Sequence, residues 1–201
     1  KLTKKFVNKV IVIDDGSKDN TYNIAKKNGA DYVLKHIVNM GKGLALRTGF
    51  EAALKLGAGM VVAIDSDGQH DPRDIPRMIK ALDDKKADIV IGARPFNKKM
   101  PLLLKFGNGL ILLLFKMLFG LNVKDTQSGY RLFKADVYNK IKWKSCGYEV
   151  ETEMLANAGK FGLKVVEVPI KTVYHDKHKG TTPIHGVKII LKMIKWKLLN
   201  F

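Results

Sequence analysis

Cysteine is almost absent. Cys146 is the one cysteine among 201 residues. No intramolecular disulfide is available, and nothing points to an oxidising compartment. The Cys/His spacings of zinc sites are missing too. Acidic residues are scarce beside basic ones, 19 Asp+Glu against 36 Lys+Arg, which leaves a net charge of +17. Such an excess fits an anionic partner, namely nucleic acid, a phosphate-bearing substrate or an acidic membrane surface. No nucleic-acid module accompanies the charge, so nucleic acid is not expected as a partner.

Long apolar runs are also missing. Residues 101–121 come nearest, but Lys105, Asn108 and Lys116 interrupt them. They predict an amphipathic helix lying on a membrane surface or packed into the protein, not a membrane span. Lys1 to Lys9 is basic, but the apolar run after it is too short for a signal peptide. Three enzyme signatures are lacking: the P-loop, the G-x-G-x-x-G of dinucleotide-binding enzymes, and a Ser or Cys nucleophile motif. What remains is a chain with 46% hydrophobic residues. That composition is globular, and the absence of repeats or linkers predicts one domain over 1–201.

Strands and helices alternate through the first half. Val10–Ile13 is a β-branched run ending in Asp14-Asp15-Gly16. A helix over Tyr22–Asn28, a short strand at Asp31–Leu34 and a glycine-rich loop at Asn39–Gly43 follow. A helix over Leu44–Leu56, a strand at Met60–Ile64, a helix over Pro72–Leu82 and a strand at Asp88–Gly92 come next. This alternation predicts an α/β fold with a mostly parallel sheet and helices on both faces. The second half reads as the 101–121 helix, a polar loop and turn over Lys124–Phe133, a helix over Glu151–Phe161, a strand at Lys164–Ile170 and a helix over Gly186–Leu199.

In such sheets ligands bind beyond the carboxyl ends of strands. Asp14-Asp15, Asp65-Ser66-Asp67 and Arg94 all fall there. Asp65 and Asp67 form a D-x-D in which like-charge repulsion is relieved by a divalent cation. Oxygen ligands suit Mg2+ or Mn2+, which also bridge phosphates. Gln69 and His70 are positioned to complete the shell. Asp14 and Asp15 offer acceptors to a nucleobase edge or ribose, and the same segment reads as a helix cap with a turn glycine. Lys42, in the glycine-rich loop, is a candidate cation for phosphate. His175 and His178 read as solvated residues of a basic loop.

Seven segments together resemble the family 2 glycosyltransferases with the GT-A fold, in the polyprenyl- and dolichyl-phosphate sugar synthase branch. They are VIVIDDGSKDNT (10–21), NMGKGLALRTGF (39–50), VVAIDSDGQHDP (61–72), DIVIGAR (88–94), DTQSGYRLF (125–133), GYEVETEML (147–155) and VVEVPI (165–170). The resemblance implies an inverting, metal-dependent transfer of a hexose from a GDP- or UDP-sugar to a polyprenyl or dolichyl phosphate. It implies that Asp15, with Asp14 beside it, binds the nucleobase or ribose. Asp65, Asp67 and Gln69 would hold the metal. Arg94 and Arg131 would hold phosphates, and Ser128 and Gly129 would form the turn before Arg131. Glu151 and Glu153 would lie near the acceptor, where relatives that glycosylate hydroxyls keep a base. Lys177, Lys179 and Thr181 loosely match an acceptor-phosphate element. The basic tail and the helices at 101–121 and 186–199 imply a peripheral enzyme on the cytoplasmic face of a membrane. Family members usually carry a further central strand before the DDGS unit, and here only nine residues precede Val10. Two alternatives are transfer to a saccharide or protein hydroxyl, and nucleotide-sugar binding without turnover.

Overall fold

Short β-branched runs set the strands, and glycines set where the chain turns beneath them. A computed structural model describes residues 1–94, 102–171 and 183–199, apart from the side chains of 102–105 and 183–185. The basic loop with His175, Lys177, His178, Lys179 and Thr181 lies outside the described residues.

The elements are β1 (Ile11–Asp14), α1 (Thr21–Lys27), β2 (Tyr32–Lys35), α2 (Lys42–Lys55), β3 (Met60–Ala63), α3 (Ile75–Asp84) and β4 (Ile89–Ala93), then α4 (Leu102–Phe119), β5 (Arg131–Lys134), α5 (Tyr138–Ile141), α6 (Val150–Lys160), β6 (Val165–Pro169) and α7 (Pro183–Leu198). A 3-10 turn at Pro72–Asp74 leads into α3, capped by the Asp71 side chain, which accepts from Arg73 N. Gly16 has φ +74° and lies so close to the Val38–Asn39 backbone that no Cβ fits. The turn after β1 therefore requires glycine.

The strands form two sheets. β1 and β2 pair in parallel, from Ile11 with Tyr32 to Asp14 with Lys35. The other sheet has the order β3-β5-β4-β6. β5 runs antiparallel to both β3 and β4, whereas β4 and β6 are parallel. The expected α/β sheet is present, but its strand directions are mixed instead of mostly parallel. The cause is β5, which the sequence pattern hides in a polar loop. Its four residues, Arg-Leu-Phe-Lys, carry charges at both ends and show neither alternation nor a β-branched run. No described strand joins β1 to β3. The two sheets are connected through α2, which packs against both.

Helices cover both faces of the larger sheet, as the alternation predicts. On one face Ile75, Met78 and Leu82 of α3 meet Val90, Leu132 and Val168. The spacing i, i+3, i+7 places these α3 residues on one stripe. On the other face Phe50 of α2 and Met154 and Ala158 of α6 meet Ile89 and Phe133. Beyond them α4 and α7 pack side by side, burying Ile111, Phe115, Ile189, Met193 and Trp196 around Ile91.

Within the 101–121 segment, α4 is packed into the protein on one side and open to solvent on the other. One stripe of α4 is core, while Phe106, Leu110, Leu113 and Met117 are exposed, and Met117 is 72% exposed. Val187, Leu191, Ile194 and Leu198 repeat the same i, i+4, i+7, i+11 spacing on the exposed side of α7. Among the described residues no helix is long and apolar enough to cross a membrane.

The two stripes of buried and exposed residues should separate in a denaturation experiment. Leu82→Ala should cost about 2–5 kcal/mol in urea unfolding, because it opens a cavity in a filled core. Met117→Ala should stay within about 0.5 kcal/mol, because its side chain packs against little.

Candidate active site

The Asn39–Gly43 loop is built by hydrogen bonds before any ligand arrives. Asp15 accepts from Met40 N at 2.9 Å, Gly41 N at 2.8 Å and the His36 ring at 2.7 Å. The other His36 nitrogen meets Thr48 Oγ1 at 2.9 Å. Desolvation would raise the Asp15 pKa, but these donors hold its carboxyl below the usual range. From the other side Gly43 N donates to Cys146 O at 2.7 Å, and Trp143 Nε1 donates to Gly43 O at 2.8 Å. A Cβ at Gly41 or Gly43 would overlap the 145–146 backbone. Both glycines are therefore required by close approach.

α2 starts from this clamped loop and directs Lys42 inward. Its ammonium lies 3.0 Å from Asp65 Oδ2 and 2.7 Å from Glu151 Oε1. The first contact is a hydrogen bond. Glu151 Oε1 is buried and lacks a partner of good hydrogen-bond geometry, so the second is a charge contact. Burial would lower the Lys42 pKa, but Glu151 and Asp65 together raise it above that of a free lysine. Asp65 follows β3, and its carboxylate rests on Gly129, where an added methyl would overlap Oδ2. Asp67 is exposed, and its Oδ1 accepts from Gln69 N at 3.0 Å. His70 is buried against Tyr130, and its Nδ1 has no hydrogen-bond partner. Desolvation lowers its pKa against the pull of Asp65 and Asp67.

Several expected site residues have structural settings instead. Arg131 is 1% exposed, and its guanidinium donates to the carbonyls of Ser128 (2.7 Å), Glu151 (2.5 Å) and Thr126 (2.8 Å). A guanidinium turned to three backbone carbonyls and sealed from solvent is not presented to a phosphate. Glu153 is also buried, and its carboxylate accepts from Lys144 N and Ser145 N. It holds the segment that presses on Gly43 and is not free to act as a base. Ser128 Oγ donates to Gly92 O at 2.6 Å inside the core, which removes it from donor binding. Asp14 is buried and accepts from Ser17 N within the turn after β1, so it braces that turn and caps no helix: α1 starts at Thr21 with Asn20 at its N-cap.

Arg94 does line the opening, but Asp125 engages it through two bonds, Nε–Oδ2 at 2.7 Å and an Nη–Oδ1 contact at 3.0 Å. Burial would raise the Asp125 pKa, yet Arg94 holds it low. The structure thus gathers Lys42, Asp65, Asp67, His70, Gly129 and Glu151 beyond the ends of β3 and β5, with the Arg94–Asp125 pair beside them. Sequence reasoning passed over His36 and Asp125. The β1–β2 register held the signal for His36, since Asp14 pairs with Lys35 and the next residues are Asp15 and His36. A separate cavity of about 570 Å³, lined by Tyr22, Asn23, His36 and Thr48 among others, contains none of the clustered charges.

Among the described residues no three His, Cys, Asp or Glu side chains are drawn together as a ready metal cage. Two nearby carboxylates, one of them exposed, still fit Mg2+ or Mn2+. Mg2+ is commonly held by one or two carboxylates plus substrate phosphates.

The family model described as glycosyl transferase family 2 matches residues 4–142. A UDP-N-acetylglucosamine–dolichyl-phosphate N-acetylglucosaminyltransferase of Methanococcus voltae is 36% identical, with 94% of this chain and 85% of the relative covered. An undecaprenyl-phosphate mannosyltransferase of Micrococcus luteus is 31% identical, with 94% and 82% covered. Among solved structures, glucosyl-3-phosphoglycerate synthase of Mycobacterium tuberculosis, in complex with Mn2+, UDP-glucose and phosphoglyceric acid, superposes with a TM-score of 0.71. It is 20% identical, with 95% of this chain and 69% of that chain covered, a likeness of fold.

The Gly129 contact gives a local test. Gly129→Ala should cost about 1–3 kcal/mol in urea unfolding, because Asp65 or the turn has to move. Gly59→Ala, with open space around it, should be neutral or stabilising by up to about 1 kcal/mol.

Proposed function

The chain belongs to glycosyl transferase family 2 and is a glycosyltransferase. From that premise we propose that it moves a hexose, with inversion, from a nucleotide-sugar to a polyprenyl or dolichyl phosphate, using Mg2+ or Mn2+. The observation that carries this reading is the pair Asp65 and Asp67 at the mouth of β3, with Lys42 and Glu151 facing Asp65 across the opening.

Asp65 and Asp67 would hold the cation jointly with the donor diphosphate. When bound, the cation neutralises charge on the departing nucleoside diphosphate. Lys42 adds a second positive charge on the same side. Asp15 keeps one carboxylate oxygen, Oδ2, with spare acceptor capacity beside the loop, which suits a ribose or base contact.

What is not free supports the acceptor class. Glu153 is tied to two backbone N–H groups, and Glu151 is ion-paired to Lys42. Transfer to a hydroxyl calls for a general base, whereas a phosphate oxygen is already anionic. That oxygen attacks the anomeric carbon, the bond to the diphosphate oxygen breaks, and the electron pair leaves with the nucleoside diphosphate. Positioning and charge stabilisation are then the protein's contribution. The names of the two relatives, one a dolichyl-phosphate and the other an undecaprenyl-phosphate enzyme, support the same acceptor.

The exposed stripes of α4 and α7 give the enzyme a lipid-facing side. Lys116, Lys188, Lys195 and Lys197 lie on the same helices, and apolar burial and anionic attraction add at a membrane surface. We place that surface on the cytoplasmic side, where an exposed Cys146 stays reduced.

Calorimetric titration with GDP and UDP, each with Mg2+, Mn2+ or EDTA, should give metal-dependent binding of one nucleotide. Asp67→Ala should remove that dependence and slow transfer by about 100-fold or more. In vesicles, labelled sugar should pass to dolichyl phosphate and not to dolichol. A product on the alcohol would sink the phosphate-acceptor reading.

A further inference from the structure

Lys42 stands between two carboxylates that reach it from different parts of the chain. Asp65 follows β3, and Glu151 sits in the first turn of α6. The lysine side chain is 24% exposed and that of Glu151 only 3%. The base of the lysine is fixed, because Asp15 holds Met40 and Gly41 while Cys146 O holds Gly43. Its head is confined as well, since a methyl at Gly129 would lie 3.0 Å from Nζ.

An ammonium 3.0 Å from Asp65 Oδ2 neutralises the charge that a divalent cation would use. Two cations on one carboxylate repel strongly in a partly dry site. Lys42 also cannot simply be absent. Without it the buried Glu151 oxygen loses its nearest counter-charge, with only Arg131 left beside that residue, and weakening a buried ion pair is costly. The same lysine therefore has to serve both the empty and the loaded site.

We propose that Lys42 is a resident counter-ion exchanged on loading: the metal takes Asp65, and the ammonium turns to the arriving diphosphate while staying beside Glu151. This rests on the metal–diphosphate reading above. Metal alone gains little, because it displaces a favourable ion pair and offers the lysine nothing in return. Metal with a nucleoside diphosphate supplies the missing anion. The site therefore favours the metal–nucleotide complex over the free cation, and Lys42 sets that preference.

Mn2+ uptake by the whole chain, followed by electron paramagnetic resonance of the free ion, reads this directly without turnover. Wild type should bind Mn2+ weakly alone and more tightly with GDP or UDP. Lys42→Met should bind Mn2+ alone about tenfold more tightly, and the enhancement by nucleotide should shrink by a similar factor, since coupling is reciprocal. Lys42→Arg should behave as wild type. The double variant Lys42→Met/Glu151→Gln leaves no orphan carboxylate, so it keeps the test available if the single variant fails to fold. It should retain the tighter Mn2+ binding, which assigns the gain to Asp65 and not to a freed Glu151. Unchanged or weaker Mn2+ binding in Lys42→Met, or a gain lost in the double variant, would overturn the exchange while leaving the metal site standing. No Mn2+ uptake by any variant, with or without nucleotide, would overturn both.

Discussion

A guanidinium sealed inside a protein has to find acceptors for its donors, and Arg131 finds them in the carbonyls of Thr126, Ser128 and Glu151. Burial pushes its pKa down to about 10, with Glu151 and Asp125 pulling the other way, so it stays charged at neutral pH. That one side chain gathers the 126–129 turn and the N-terminal turn of α6. The turn supplies Gly129, on which Asp65 rests. The helix supplies Glu151, which faces Lys42, and Glu153, which fixes the 144–145 backbone against the glycine-rich loop. The geometry of the site thus descends from a side chain buried behind it.

Much of the site was legible because its chemistry is local in sequence. Asp14-Asp15-Gly16 and Asp65-Ser66-Asp67 each follow a β-branched strand, and both lie at strand ends as the pattern requires. The glycines at 16, 41 and 43 were legible as turn or loop residues, and their reason is close backbone approach. The buried, braced settings of Arg131, Ser128 and Glu153 were not legible, for a common reason. A polar residue in a site motif looks the same in sequence whether it faces the ligand or braces the residue that does. Only the count of its acceptors and its exposure tell the two apart. β5 was hidden for a different reason: its central position comes from pairing with β3 and β4, not from its own composition.

The charges around the opening are arranged as mutual partners. Asp65 and Glu151 stand against Lys42 and Asp125 against Arg94, while Arg131 is engaged by backbone carbonyls. A site of this kind is not a preformed anion trap. On the proposed reading Lys42 becomes available to phosphate only as Asp65 is compensated, so ligand and protein would exchange counter-ions instead of simply meeting. This differs from a helix N-terminus or a nest of free N–H groups, which present their charge to any anion.

The division of the strands into two sheets has a consequence for local stability. Residues from β1 through β2 bury no side chain completely except Asp14, and they reach the larger sheet through α2 and not through a backbone ladder. Regions with few buried apolar contacts open at a fraction of the global unfolding free energy. Among the described strands, amide protons of β1 and β2 are therefore expected to exchange by partial opening, ahead of those of β4 and β5. On the proposed reading, the segment that carries Asp15 is one that a bound nucleotide would order. Measured donor affinity would include that ordering cost, and would read lower than the contacts alone suggest.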